Sequence, residues 1–286
     1  MAASGCGTDD GSAPADAERA ATGPSVEDPG PVHVHGLGIN PKDGALFIAT
    51  HTGLFRAPEG DQTARRVADR YQDTMGFTVV GPDRFLGSGH PDGREGLPPF
   101  LGLIRSNDAG DSWQEISLMG KNDFHVLEAS AERVYGFGSN FDTRTGEFLV
   151  SDDAGRSWSK RSPPGPLISL AISPDDSDQV IAAAEDGLYR SDDAGERWRP
   201  LTRDTGLLAW TRSGSVYLVD AGGGVSESSD DGKSWHDVGA IGGQPAAFDA
   251  AGNDLYAALH DGTIKRSTDG GKSWTVRSTP QSTATG

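Results

Sequence analysis

The chain has 286 residues, enough for one large all-β domain or two ordinary ones. Forty glycines and 17 prolines mark a turn-rich protein, and few segments carry a helical period. A formal charge of −17 at pH 7 argues against nucleic-acid or anionic-membrane partners, which need a basic surface, and no run of 18 apolar residues is present to span a bilayer.

Residues 1–31 are poor in apolar side chains and rich in Ala, Gly, Asp and Pro, so they predict a disordered acidic tether. The only cysteine is Cys6, which leaves no intrachain disulfide to form. Ala3-Ser4-Gly5-Cys6 resembles the processing site of a bacterial lipoprotein, although the first position is not the usual Leu and no apolar h-region precedes it. The resemblance implies a lipid on Cys6, a mature N-terminus there, and a protein that works outside the cytoplasm and meets the membrane only through that anchor.

From residue 32 the chain repeats. Ala45–Ala49, Arg84–Gly87, Arg133–Gly136, Gln179–Ala184, Ser215–Leu218 and Asp254–Ala257 read as one recurring strand, the second of each unit, which gives six units. The first unit ends its third strand at Gly53-Leu54-Phe55-Arg56 and continues into Ala57-Pro58. The other five enter Ser-x-Asp-x-Gly-x-x-Trp at Ser106–Trp113, Ser151–Trp158, Ser191–Trp198, Ser228–Trp235 and Ser267–Trp274. The tryptophans lie 45, 40, 37 and 39 residues apart, and a period of about 40 with several short strands per unit is the mark of a propeller blade. The expected fold is therefore all-β: a six-bladed β-propeller of four-stranded antiparallel blades over residues 32–286, with a degenerate terminal blade.

The repeated turn has a physical logic. Ser and Asp side chains bond to nearby backbone groups, Gly supplies φ > 0, and the Trp opens the outer strand and buries a large ring. The segment resembles the Asp-box (BNR) repeat of sialidases, sortilin-type receptors and bacterial proteins labelled glycosyl hydrolase. That resemblance implies a fold rather than a chemistry, so the box aspartates are read as structural. Arg56 looks like the Arg of the sialidase Arg-Ile-Pro signature. It occupies the same repeat position as Arg105 and Arg190, however, and is read as an ordinary strand residue. Tyr135, Tyr217 and Tyr256 share one position in the second strand and are read as core.

Function is expected on the face opposite the boxes. Five of seven histidines map there: His33 and His35 entering the first inner strand, His51 in a turn of the same blade, His90 ending a strand of blade 2, and His125 entering blade 3. With Met75 they predict a metal site, copper if the thioether takes part and zinc as the runner-up. Asp73 and Asp123 are expected to support the imidazoles. Loops His90–Pro99 and Ser139–Arg144 add Asp92, Arg94, Glu95, Asp142 and Arg144, and Asp73, Asp92, Arg94, Glu95 and Arg144 are candidates for binding a ligand such as a glycan. His236 and His260 are read as unrelated. The expected role is an exported, monomeric binding protein for a metal ion or small ligand. A sialidase-like glycoside hydrolase and a protein-binding scaffold are the alternatives. The three arginines and the Tyr–Glu pair that the sialidase resemblance requires are not placed on this chain.

Overall fold

A computed structural model describes residues 30–280, and these form 24 strands in six antiparallel sheets of four. The expected tether and Cys6 lie outside the described residues, apart from Gly30 and Pro31. Blade 1 holds β1–β4 (Val34–Ile39, Leu46–Thr50, Gly53–Ala57, Arg65–Arg66) and blade 2 holds β5–β8 (Asp73–Gly81, Arg84–His90, Leu103–Ser106, Gln114–Ser117). Blade 3 holds β9–β12 (Asn122–Ser130, Arg133–Asn140, Gly146–Ser151, Ser159–Arg161) and blade 4 holds β13–β16 (Leu167–Ile172, Val180–Ala184, Gly187–Ser191, Arg199–Thr202). Blade 5 holds β17–β20 (Leu207–Trp210, Val216–Val219, Gly224–Ser228, His236–Ala240) and blade 6 holds β21–β24 (Pro245–Ala251, Asp254–Leu259, Ile264–Ser267, Thr275–Ser278). Each blade is a meander in chain order, and the inner strands β1, β5, β9, β13, β17 and β21 pack in a closed ring around the axis.

The core lies between blades. Six apolar clusters form, each drawn from two neighbouring blades. Between blades 1 and 2, Phe47 meets Phe85 edge-on with ring centroids 4.6 Å apart, and both are fully buried. Burial of each such side chain contributes about 1.5–3 kcal/mol. Tyr135, Tyr217 and Tyr256 are buried in these clusters, as their shared repeat position predicts. The ring closes without strand exchange. Arg277 donates to the carbonyls of Ala57, Pro58 and Asp61, and Ser278 Oγ and the Thr279 N–H both donate to the Gln62 carbonyl. These bonds clamp blade 6 against the short outer part of blade 1, the one blade without a box.

Each box forms the turn between the third and fourth strands. In blade 4, Ser191 Oγ accepts from the Gly195 and Asp193 N–H groups and donates to Asp193 Oδ1, which also accepts from the Arg197 N–H. The glycine is required twice. Gly155 has φ +83°, and a Cβ there would lie 2.0 Å from Leu103 Cδ2 of the preceding blade. The residue before it shares the left-handed conformation (Ala154, φ 58°). Its N–H donates to the Glu132 carbonyl, tying the box to the first hairpin of its own blade and placing both turns on one face. The box tryptophans depart from expectation: all five are half-buried rather than buried. Each opens an outer strand, so the indole packs between two blades while one edge meets solvent. Trp158, for example, lies 5.3 Å from Phe124, and its Nε1 donates to Ser117 Oγ of blade 2.

Candidate metal centre

The face opposite the boxes collects the ends of β1, β5, β6 and β9. His33 precedes β1 in a left-handed conformation (φ 52°), and a bulge interrupts the pairing of β1 between Val34 and Gly36. His33 is exposed, while His35 turns inward to the mouth of the central channel. The turn after β2 brings His51 back, its N–H donating to the His33 carbonyl at 3.2 Å. Its ring centroid is 6.3 Å from those of both His33 and His35. Asp73 opens β5 directly opposite His90 on β6. The two strands approach closely there because residue 89 is glycine: a Cβ would lie 2.1 Å from the Asp73 carbonyl oxygen.

Two aspartates organise the imidazoles. Asp73 Oδ2 lies 2.8 Å from His51 Nδ1, and Asp73 Oδ1 lies 3.5 Å from His35 Nε2. One ligand atom from each of His35, His51 and Asp73 falls within 4.8 Å of the others. Both His35 Nε2 and Asp73 Oδ1 are buried and lack a hydrogen-bond partner. Burial lowers the His35 pKa against the opposing pull of Asp73, which favours the neutral ring. Asp123, whose side chain is only 4% exposed, places Oδ2 2.9 Å from His125 Nε2 and 3.4 Å from His90 Nε2. The hydrogen bond to Asp123 raises the His125 pKa. The five predicted histidines therefore share one face: His35, His51, His90 and His125 fall into two Asp-centred groups, and His33 stands beside His51. Met75 lies at the channel mouth with His35 and His125.

The predicted loop residues are engaged elsewhere. Asp92 is buried and accepts from the Tyr71 and Arg94 N–H groups and from the Arg94 guanidinium, which holds its carboxyl well below the usual range. Arg94 also reaches Asp69, Glu95 pairs with Arg70, and Arg144 covers the Phe141 ring at 4.6 Å. These residues brace the blade-2 and blade-3 loops. Arg56 donates to Asp43 Oδ2 at 2.7 Å within blade 1.

Sequence reasoning missed Glu128 and Asp249. Below the imidazoles the axis carries an upper cavity of about 240 Å³ and a lower one of about 600 Å³, and both acids line both. Burial pushes Asp249 up to about 7, and Glu128 is pushed well above the carboxylate range by burial and by Asp249. The signal was present: Glu128, Ala209 and Asp249 pair with the equivalent residues Tyr135, Tyr217 and Tyr256, so two acids occupy a position where blade 5 carries alanine.

The blades, the boxes and the box-free first unit define the class, an Asp-box β-propeller. Residues 102–221 match the family model described as sortilin, neurotensin receptor 3. The Dispase autolysis-inducing protein of Streptomyces mobaraensis is 31% identical over 177 residues, covering 61% of this chain and 41% of that protein. Sortilin of Rattus norvegicus is 24% identical over 203 residues, covering 62% and 24%. The chain thus spans less than half the length of the curated relatives it matches. A GH74 enzyme of Niastella koreensis shares the fold with a TM-score of 0.61 at 12% identity, over 87% of this chain and 46% of that one. The sequence matches are thus to sortilin-like proteins over part of the chain, and the likeness to the GH74 enzyme is one of fold.

Proposed function

We propose that this propeller is a binding protein whose ligand is a Zn²⁺ or Cu²⁺ ion held by His35, His51 and Asp73. The observation that carries the reading is the pair of buried, unpartnered atoms, His35 Nε2 and Asp73 Oδ1, facing each other at 3.5 Å. A neutral imidazole nitrogen and a carboxylate oxygen left unbonded in a protein interior each cost free energy, and a cation between them removes both deficits. Two imidazoles and a carboxylate make a three-ligand set that leaves a coordination position open, as in zinc sites that bind exchangeable ligands. Of the three residues, His35 lines the channel cavity of about 240 Å³. The net negative charge favours cation capture.

Calorimetric titration of metal-free protein with ZnCl₂ and CuCl₂ tests the proposal. Wild type is expected to bind, and the His35→Gln/His51→Gln double variant to lose at least a hundredfold in affinity at this site. Equal binding by both proteins overturns the assignment. We further propose that the protein acts outside the cytoplasm with Cys6 as its lipid attachment point. The Ala3-Ser4-Gly5-Cys6 segment supports this, and mass spectrometry of native protein showing an unmodified Cys6 would refute it.

A second reading, hydrolysis of a glycosidic bond, is favoured by one observation: Glu128 and Asp249 form an acid pair with raised pKa values in the channel. The pair lines both the cavity of about 240 Å³ and the one of about 600 Å³ along the axis. Release of reducing sugar from aryl glycosides, lost in Glu128→Gln, would support that chemistry over metal binding.

A further inference from the structure

The second Asp-centred group contains an arrangement that hydrogen bonding alone does not satisfy. His90 Nδ1 lies 2.8 Å from the Pro99 carbonyl oxygen. A carbonyl has no proton to give, so Nδ1–H donates, and a neutral His90 carries its lone pair on Nε2. That nitrogen faces Asp123 Oδ2 at 3.4 Å without a hydrogen bond, one electron pair against another. The Asp123 side chain is only 4% exposed, and its Oδ1 has no hydrogen-bond partner. His125 supplies Asp123 with one hydrogen bond, at 2.9 Å, which does not meet the demand of a buried carboxylate with four acceptor sites.

Ligand atoms on one tetrahedral zinc, each about 2.0–2.1 Å from the ion, stand roughly 3.4 Å from one another. Two His–Asp pairs on this face, neither hydrogen-bonded within the pair, have that spacing: 3.5 Å for His35 Nε2 to Asp73 Oδ1, and 3.4 Å for His90 Nε2 to Asp123 Oδ2, the oxygen that also accepts from His125. Asp73 and His90 are cross-strand partners, so the two groups are neighbours in one strand pair. We infer that His90 and Asp123, with His125 beside them, hold a second transition-metal ion, which makes the face a two-ion site. This rests on the proposed function, since it adds a position next to the one assigned there. The Pro99 carbonyl fixes the His90 tautomer that exposes Nε2 to the ion, the role an outer partner plays for a metal-bound histidine.

Zinc content of the full chain, measured by atomic emission after equilibrium dialysis at micromolar free Zn²⁺, separates the two claims. Two ions per chain are expected in wild type and one in each of His90→Gln, Asp123→Asn and His51→Gln. His90 is 40% exposed, so His90→Gln tests the position even if Asp123→Asn fails to fold. One ion in wild type, kept in His90→Gln and lost in His51→Gln, overturns the second position and leaves the first standing. No ion in wild type removes both. Long-range ¹H–¹⁵N spectra give an independent readout: His90 is expected as the Nδ1–H tautomer without metal, with its Nε2 resonance moving as zinc is added. A doubly protonated His90 at pH 7.5 that ignores zinc overturns the inference.

Discussion

Asp249→Asn isolates the consequence of placing an acid at the waist of the channel. The ordinary carboxyl pKa of 3.8 is pushed up to about 7 by burial, so between those values the folded chain keeps a proton that the unfolded chain has released. Stability contributed by this group is therefore fully present below pH 3.8 and declines as pH rises towards 7. At 1.36 kcal/mol per pH unit, the decline amounts to about 4 kcal/mol at most. Asparagine keeps the shape and can still accept from the Ala250 N–H, which donates to Asp249 Oδ1 at 2.7 Å, but it cannot ionise. It also removes the charge that helps raise Glu128. Urea unfolding of both proteins at pH 4.5 and pH 8 is the assay. The variant is expected to gain roughly 2–4 kcal/mol relative to wild type over that interval. Parallel pH dependences for the two proteins would mean that Asp249 ionises freely in the folded chain and that water fills the waist around it.

Ser191→Ala leaves the Gly195 and Asp193 N–H groups without their acceptor and should lower stability by roughly 1–3 kcal/mol in urea unfolding, with zinc content unchanged. Loss of zinc from well-folded Ser191→Ala would give the boxes a role in binding. The box carboxylates of Asp153, Asp230 and Asp269 are held down at about 2 by Ser side-chain and backbone hydrogen bonds, so their contribution is present above the ordinary carboxyl range and is lost as pH falls through about 2. Near-ultraviolet circular dichroism should show the tertiary signal falling between pH 4 and pH 2, and a signal unchanged below pH 2 would contradict this.

The fold was legible because its devices are local. Ser, Asp and Gly at fixed spacing write each box turn, and the turn spacing counts the blades. Even the missing first box was visible, as Ala57-Pro58. The tryptophans were misjudged because the motif shows that Trp158 follows the turn but not that its strand lies at the rim. The left-handed residue before each box glycine was missed because Ala109, Ala154 and Ala194 carry no sequence sign of φ > 0. Face assignment placed the five histidines correctly, since strand order alone decides which end of a blade a residue occupies. The division of four of them into two groups depends on a bulge in β1, on Gly89 and on the carbonyl of Pro99, none of which announces itself in side-chain type. Glu128 and Asp249 were overlooked because a single acid per strand reads as a surface residue until register sets it beside the core tyrosine positions.

His35, His51 and Asp73 are proposed to hold an ion between them. Anomalous difference density from zinc-loaded crystals, collected on both sides of the zinc absorption edge, tests it most directly. A peak is expected about 2.0–2.1 Å from His35 Nε2, within bonding distance of His51 and an Asp73 oxygen. A map with its zinc peaks elsewhere on the protein, or with none on the histidine face, would contradict it.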